Sequence, residues 1–112
     1  MLELLKLYSH LPNFKGKNFL GQRVFARTLS QEKFLTQKMQ DGFTLSLDVQ
    51  DRMQRMIYIK RCHEPETETA LKRLFSKAQV FCDIGANIGY FGFLAKQLYP
   101  QTQVYSFEPL PK

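Results

Sequence analysis

Hydrophobic residues near the start of the chain recur at helical spacing. A first helix is predicted by apolar residues three and four positions apart: Leu4, Leu7, Tyr8 and Leu11. Pro12 ends this pattern, and we expect the apolar side chains to face the core. Residues 20–29 predict a second helix, with Leu20, Val24 and Phe25 on one side.

The next segment changes to the alternating pattern of a strand. Phe43, Leu45 and Leu47 alternate with polar residues, which predicts a half-buried strand. Asp41-Gly42 precedes it and tolerates the positive φ of a tight turn. Residues 34–39 are the expected partner, so the sequence predicts a small hairpin. Residues 50–60 fit a helix or a strand, and we favour the helix.

The clearest helix begins at Pro65, because proline is at home in the first turn of a helix. Acidic residues, Glu66 and Glu68 among them, lie near its start and basic residues near its end, which suits the helix dipole. We expect one apolar stripe to be buried: Leu71, Leu74, Phe75 and Ala78.

A strand–helix–strand pattern follows in residues 79–108. Val80-Phe81-Cys82 shows no polar alternation, which is typical of a parallel strand covered on both faces, and we expect the Cys82 thiol to be buried. A helix is predicted over residues 87–99, with an inner face of Ile88, Phe91, Ala95 and Leu98. A second strand ends near Glu108. The predicted fold class is therefore α/β, with one β-α-β unit preceded by helices and a small hairpin.

Composition narrows the possible functions. The chain has 112 residues and a formal net charge of +6, so it is one domain or less and could meet an acidic partner. Basic residues are not interleaved with aromatic ones and zinc-finger spacing is missing, so we expect no nucleic-acid role. Two cysteines form no disulfide framework, and Cys62-His63 supplies too few ligands for a metal. We expect no membrane span, no secretory signal and a cytoplasmic location.

Three glycines and two acids give the 79–108 segment its chemistry. Gly85 is expected to form the turn, Gly89 to let a ligand approach the helix, and Gly92 to let helix and sheet pack closely. The spacing differs from the dinucleotide fingerprint Gly-x-Gly-x-x-Gly, because Asn87 and Tyr90 stand where glycines are needed.

Asp83 and Glu108 both fall at predicted strand ends, where open parallel sheets bind their ligands. A carboxylate such as Glu108 can accept hydrogen bonds from both hydroxyls of a ribose. Simpler roles remain open. Asp83 could fix the loop, Glu108 could be a solvated acid, and Asn87 could cap its helix.

These residues resemble a known pattern. Asp83-Ile84-Gly85-Ala86-Asn87-Ile88-Gly89 followed by Glu108 resembles motif I and the acidic second-strand end of class I S-adenosylmethionine-dependent methyltransferases. With Phe107-Glu108-Pro109 and Glu64-Pro65-Glu66-Thr67, the chain is similar to the FkbM-like methyltransferase family. The resemblance covers residues 42–112 and leaves residues 1–41 as a variable basic extension.

The resemblance implies a Rossmann-like fold and transfer of a methyl group from S-adenosylmethionine, often to a hydroxyl of a small-molecule or saccharide acceptor. It also implies cofactor-binding roles, on the methionine side for Asp83, Gly85, Asn87 and Gly89, and at the ribose for Glu108. Glu64 would face the cofactor or the acceptor, unless it only flanks Pro65 and complements the helix dipole. No catalytic base is implied.

The family fold resembles a seven-stranded sheet, of which two strands are recognisable here. We therefore expect the chain to be the cofactor-binding N-terminal portion of a methyltransferase, truncated after the second core strand and inactive or nearly so alone. Two alternatives remain. One is a truncated, non-catalytic binding or assembly module. The other is a nucleotide-dependent oxidoreductase, which the two missing glycines disfavour.

Overall fold

The computed structural model of the chain describes residues 2–28 and 33–111. These residues form a mixed α/β structure of five helices and four short strands, which confirms the predicted class at this level. In chain order, the elements of the described part are α1 (Leu2–His10), α2 (Lys17–Thr28), β1 (Phe34–Lys38), β2 (Thr44–Asp48), α3 (Arg52–Lys60), α4 (Pro65–Phe75), β3 (Val80–Ile84), α5 (Tyr90–Leu98) and β4 (Gln103–Phe107). The predicted end of the second helix, Leu29, lies outside the described residues.

The chain divides into two compact units, which are described separately. The first consists of Met1–Gln40 with Thr44–Cys62, and the second of Asp41–Phe43 with His63–Lys112. The division into residues 1–41 and 42–112, which came from sequence resemblance, stays a prediction.

The hairpin in the first unit forms as predicted. β1 and β2 pair antiparallel, with Leu35 opposite Leu47, and α3 confirms that the ambiguous segment is helical. Asp51 accepts a hydrogen bond from the backbone N–H of Gln54, which caps the start of α3. Apolar side chains from the hairpin and helices form the core of this unit, including Phe25, Met39, Leu45, Leu47, Val49, Ile57 and Ile59.

The predicted core faces of α1 and α2 are partly wrong. Leu4, Leu7 and Leu11 are exposed, and Leu5 and Ser9 are buried instead. Ser9 faces inward because its hydroxyl accepts a hydrogen bond of 2.8 Å from the buried Gln37 side chain. The periodicity therefore predicted the helix correctly but assigned its buried face to the wrong side.

The predicted inward face of α2 is also partly exposed. Leu20 and Val24 are exposed, and Phe25 is buried as predicted. Gly21 is buried, and a Cβ atom there would lie 2.8 Å from the Ile59 side chain. The close approach of α2 to α3 at Gly21 fixes which side of α2 faces inward.

In the second unit, β3 and β4 pair in parallel and α5 connects them. Phe81 lies opposite Val104, and Ile84 opposite Phe107. α4 begins at Pro65 as predicted. Its expected buried stripe is confirmed at Phe75 and is wrong at Leu74, which is 64% exposed, while Leu71 and Ala78 are half-buried. Phe75 packs edge-on against Phe81 with ring centroids 4.9 Å apart.

The prediction that β3 is covered on both faces is wrong for the described chain. Its side chains alternate between exposed and half-buried, and Ile84 is 83% exposed. Cys82, expected to be buried, is also exposed. Apolar composition alone predicted burial, whereas burial requires a neighbouring layer on each face.

The predicted helix over residues 87–99 starts too early. α5 begins at Tyr90, because Asn87 and Gly89 have positive φ values of 54° and 81° and interrupt the helical backbone. Gly89 is therefore the N-cap residue and not an interior position. The inner face also differs from Ile88, Phe91, Ala95 and Leu98, because the buried residues of α5 are Tyr90, Gly92, Leu94 and Ala95.

Neither a membrane-spanning helix nor a cluster of metal ligands is present among the described residues. None of the described helices is long and apolar enough to cross a bilayer. Among residues 2–28 and 33–111, potential metal ligands do not come together in groups of three or more.

Candidate functional site

The turn between β3 and α5 is fixed to the end of β4. The backbone N–H groups of Gly85 and Ala86 both donate to the carbonyl oxygen of Phe107, at 2.8 and 2.9 Å. Gly85 has a φ of 78°, which glycine adopts without the steric cost that other residues meet. The expected turn-forming role of Gly85 is confirmed.

Glu108 follows β4 and continues the same connection. One carboxylate oxygen accepts a hydrogen bond of 2.7 Å from the backbone N–H of Asn87, and the other accepts one of 3.1 Å from the N–H of Leu110. The two predicted site residues Asn87 and Glu108 are thus brought together. Glu108 is half-buried, so it is more than a solvated acid.

Asn87 does not occupy the capping position of α5. The N-cap residue is Gly89, two positions later. Asn87 adopts the left-handed region, which asparagine tolerates better than most residues. Its backbone conformation turns its N–H toward Glu108, so the alternative of a helix-capping Asn87 is wrong.

Asp83 lies in β3, just before the turn. Its Oδ2 atom is buried and receives no hydrogen bond from the described residues. Burial disfavours the charged form, and it raises the pKa of Asp83 above its ordinary value of 3.8. A buried acceptor without a hydrogen bond is unfavourable for the charged carboxylate.

A pocket of about 440 Å³ opens beside Asn87 and Glu108. Of the predicted site residues, Asn87, Gly89 and Glu108 line it, whereas Asp83, Gly85 and Glu64 do not. The remaining lining comes from the turn, α5 and β4: Ala86, Ile88, Gly92, Phe93, Lys96, Val104 and Ser106.

The site predicted from the sequence did not include several of these lining residues. Phe93 and Lys96 lie on the helical face that continues from Gly89, at steps of four and three residues. Ser106 lies two positions before Glu108 and therefore on the same face of the chain. Extending the helical and strand periodicities outward from the predicted site would have found all three.

Gly92 is the point of closest approach between α5 and β4. A Cβ atom there would lie 2.9 Å from the Ser106 hydroxyl oxygen and 3.1 Å from a methyl group of Val104. Both distances are shorter than ordinary van der Waals contact. The expected packing role of Gly92 is confirmed, and all three residues line the pocket.

Glu64 lies apart from the pocket, at the start of α4. It has a φ of 45° and its side chain accepts a hydrogen bond of 3.1 Å from the Thr67 hydroxyl. His63 lies 3.7 Å from its other carboxylate oxygen. These contacts agree with the local role that flanks Pro65, and a role toward a cofactor or acceptor stays a prediction.

A second acid of α4, Glu68, has a contact that the sequence did not reveal. Glu68 is 5% exposed and accepts hydrogen bonds from the Tyr90 hydroxyl and from the backbone N–H of His63. Tyr90 is the first residue of α5. Glu68 therefore ties α4 to the start of the helix that borders the pocket.

Comparisons of the chain with protein-family models, curated proteins and solved structures gave no significant match.

Proposed function

We propose that the second unit binds S-adenosylmethionine and is the cofactor-binding portion of an FkbM-like methyltransferase with a Rossmann-like β-α-β core. The observation that carries the proposal is the position of Glu108. Its carboxylate follows a parallel strand, is joined to the glycine turn through Asn87, and borders a pocket. This is where an open parallel sheet binds its ligand.

Glu108 is the proposed partner of the ribose hydroxyls. A carboxylate is an acceptor-only group with about four lone-pair positions on its two oxygens. Accepting backbone N–H groups is therefore compatible with accepting ribose hydroxyls at the same time. The backbone hydrogen bonds also hold the carboxylate in one orientation, which favours binding of a diol.

Asp83 is the proposed partner of the methionine ammonium group. Its buried oxygen receives no hydrogen bond from the described residues, and an ammonium donor would offset the unfavourable burial of its charge. Gly85, Asn87 and Gly89 would bring the backbone of the turn against the methionine moiety. Glu64 is proposed to act on the cofactor or acceptor from the start of α4.

When bound, S-adenosylmethionine supplies a methyl group activated by its sulfonium. We propose a hydroxyl oxygen of a small molecule or saccharide as the acceptor. We assign no residue of this chain as the base that takes the hydroxyl proton, so its proposed role is binding and orientation. We also propose a cytoplasmic location, where this cofactor is made and used.

The experiment compares ligands with and without the ribose hydroxyls. We expect ligand-observed NMR to detect weak binding of S-adenosylhomocysteine, and competition to show that adenosine binds better than 2′,3′-dideoxyadenosine. Glu108→Gln should remove this preference, a loss of about tenfold or more, because hydrogen bonds to a charged group are lost. Glu66→Gln, in an exposed acid of α4, should keep it.

The preference for the diol separates a direct role of Glu108 from a structural one. A Glu108→Gln protein that bound both nucleosides more weakly but kept the preference would contradict the ribose assignment. Failure of S-adenosylhomocysteine to bind the wild-type chain would contradict the proposed function as a whole.

One observation supports a second candidate function, that of a non-catalytic binding or assembly module. The β3–β4 sheet exposes large apolar side chains, namely Val80, Ile84, Tyr105 and Phe107. Exposed apolar patches of this kind are typical of interaction surfaces. A chain that binds no adenosine ligand but forms a stable complex through this sheet would favour the second candidate.

A further inference from the structure

The outer side of α1 and the segment that follows it carry an apolar stripe, which we define as Leu4, Leu7, Leu11 and Phe14. At about 100° per residue, Leu4 and Leu7 of α1 lie about 60° apart around the helix axis, and Leu7 lies about 180° from the mean direction of the buried Leu5 and Ser9. Tyr8 joins Phe14 to the stripe, because their rings meet edge-on with centroids 6.5 Å apart.

All four side chains of the apolar stripe are exposed. Leu4 and Leu7 are 63% and 66% exposed, and Leu11 and Phe14 about half. A single exposed leucine is ordinary, but these four large apolar side chains lie close together in sequence, two in α1 and two just after it, and exposed apolar patches mark contact surfaces. The stripe contributes little to the core of its own unit, so its sequence pattern needs another explanation.

Charge indicates what contacts the stripe. The first unit contains eleven lysine and arginine residues against four acidic residues, a formal charge of +7, whereas the second unit has a formal charge of −1. Lys6 lies in α1 and Lys15 follows the stripe, and both are exposed. Glu3 is the acidic residue of α1. The apolar stripe therefore lies in a strongly basic unit.

We propose that the apolar stripe docks onto the surface of an anionic lipid bilayer. The leucines and Phe14 would enter the boundary between headgroups and acyl chains, while Lys6 and Lys15 contact the lipid phosphates. An apolar face on a helix with a lysine on its other side, as Lys6 is in α1, is the composition of interfacial helices. A second copy of the chain is a poorer occupant, because it would bring together two units of formal charge +7.

This docking would be peripheral and reversible. α1 has nine residues, so it would lie on the surface, and only a few side chains would be inserted. Each lysine near an anionic surface contributes an attraction that falls off within a Debye length. Binding should therefore weaken steeply as salt is added, and it should be independent of the adenosine-binding role proposed for the second unit.

The experiment is co-flotation of the full chain with vesicles of two compositions. We expect binding to vesicles of equal parts phosphatidylcholine and phosphatidylserine, and little binding to phosphatidylcholine alone. Leu7→Gln with Leu11→Gln should lower the partition coefficient about tenfold or more, because two inserted leucines are lost. The matched control is Leu74→Gln in the second unit, where the leucine is 64% exposed and binding should be unchanged.

A second pair of variants tests the charge. Lys6→Gln with Lys15→Gln should weaken binding to the anionic vesicles by about tenfold or more, whereas Lys77→Gln, in an exposed lysine of the second unit, should not. Circular dichroism should show unchanged helix content in all variants. This would separate loss of docking from loss of folding.

Three outcomes would overturn the proposal. The first is equal binding to both vesicle types. The second is equal loss from Leu74→Gln and from the α1 variants. The third is a dimer in sedimentation velocity that is lost in Leu7→Gln with Leu11→Gln while vesicle binding is missing, which would assign the stripe to a second copy of the chain.

Discussion

The carboxylate of Glu108 accepts a hydrogen bond from the backbone N–H of Asn87 across a distance of 2.7 Å and 21 positions of sequence. The bond joins the residue after β4 to the turn after β3, so the two strand ends are held together by a side chain as well as by the sheet. Three consequences can be measured at this site, and a fourth at the start of α5.

Glu108→Ala should loosen the turn locally. Hydrogen bonds to charged groups contribute about 1.5–3 kcal/mol, so amide hydrogen exchange at Asn87 should accelerate by about tenfold or more. Gln101→Ala, an exposed polar position in the same unit, should leave exchange at Asn87 unchanged. Equal exchange rates in Glu108→Ala and the wild type would show that this bond does not hold the turn.

Asp83 should make the folded chain less stable as pH rises, which is the opposite of the usual effect of an acidic residue. Its pKa is raised by burial, so the folded state binds a proton more tightly than the unfolded state does. Its contribution to stability is therefore present below the ordinary pKa of 3.8 and is lost as pH rises through the raised pKa. Asp83→Asn should thus stabilise the chain more at pH 7 than in acid.

Urea denaturation at several pH values measures this difference, and NMR titration of the Asp83 carboxyl carbon gives its pKa directly. The exposed Glu66, in the first turn of α4, serves as the control. Its charge is favourable to the helix, so Glu66→Gln should be neutral or slightly destabilising at pH 7. An Asp83 that titrates below 3.8 would contradict the effect of burial.

Gly92→Ala should be destabilising through overpacking. The added methyl group would meet Ser106 and Val104 at 2.9 and 3.1 Å, and forced contacts of this kind cost about 1–3 kcal/mol. Ser106→Ala should recover part of the loss by removing the nearer atom. Thermal or urea denaturation of the single and double variants gives the recovery.

Gly85→Ala is the informative contrast to Gly92→Ala. Among the described residues, apart from its two chain neighbours, no atom lies within 4 Å of its added Cβ, but its φ of 78° is strained for alanine. We expect a loss of about 1–2 kcal/mol that Ser106→Ala does not recover. If Ser106→Ala restored both glycine variants equally, the contact at Gly92 would not be the cause.

Tyr90→Phe should destabilise the chain, because it removes a hydrogen bond that links α4 to α5. The change removes the hydroxyl that donates to the buried Glu68 and leaves the His63 N–H as a donor to the same carboxylate. Loss of a hydrogen bond to a buried carboxylate costs about 1–3 kcal/mol. The loss should shrink when Glu68 is also replaced by glutamine, which a double-mutant cycle would detect. Tyr105→Phe, in a tyrosine of β4 that is half exposed, should change stability little.

Local signals in the sequence predicted the elements well. Asp41-Gly42 with its flanking alternation gave the hairpin, and Pro65 gave the start of α4, because turn geometry and the first turn of a helix depend on adjacent residues. The roles of Gly85 and Gly92 were also predictable, because a glycine between a strand and a helix has few explanations.

Properties that depend on distant parts of the chain were not predictable. Leu7 and Cys82 were expected to be buried because they are apolar, but burial is decided by which neighbour lies opposite. The start of α5 was misplaced because Asn87 adopts a positive φ, and the partner of its N–H in this conformation, Glu108, lies 21 residues away. The hydrogen bond from Tyr90 to Glu68 joins two helices, and the periodicity of the sequence does not indicate such a contact.

The three successive N–H groups of Gly85, Ala86 and Asn87 all donate to the end of β4 and to Glu108. This loop is therefore ordered when the chain folds and not when a ligand arrives. A ligand that binds against it loses its own freedom but does not also have to immobilise the loop, which lowers the entropic cost of association. A short piece of sheet can in this way present a rigid surface to a small molecule.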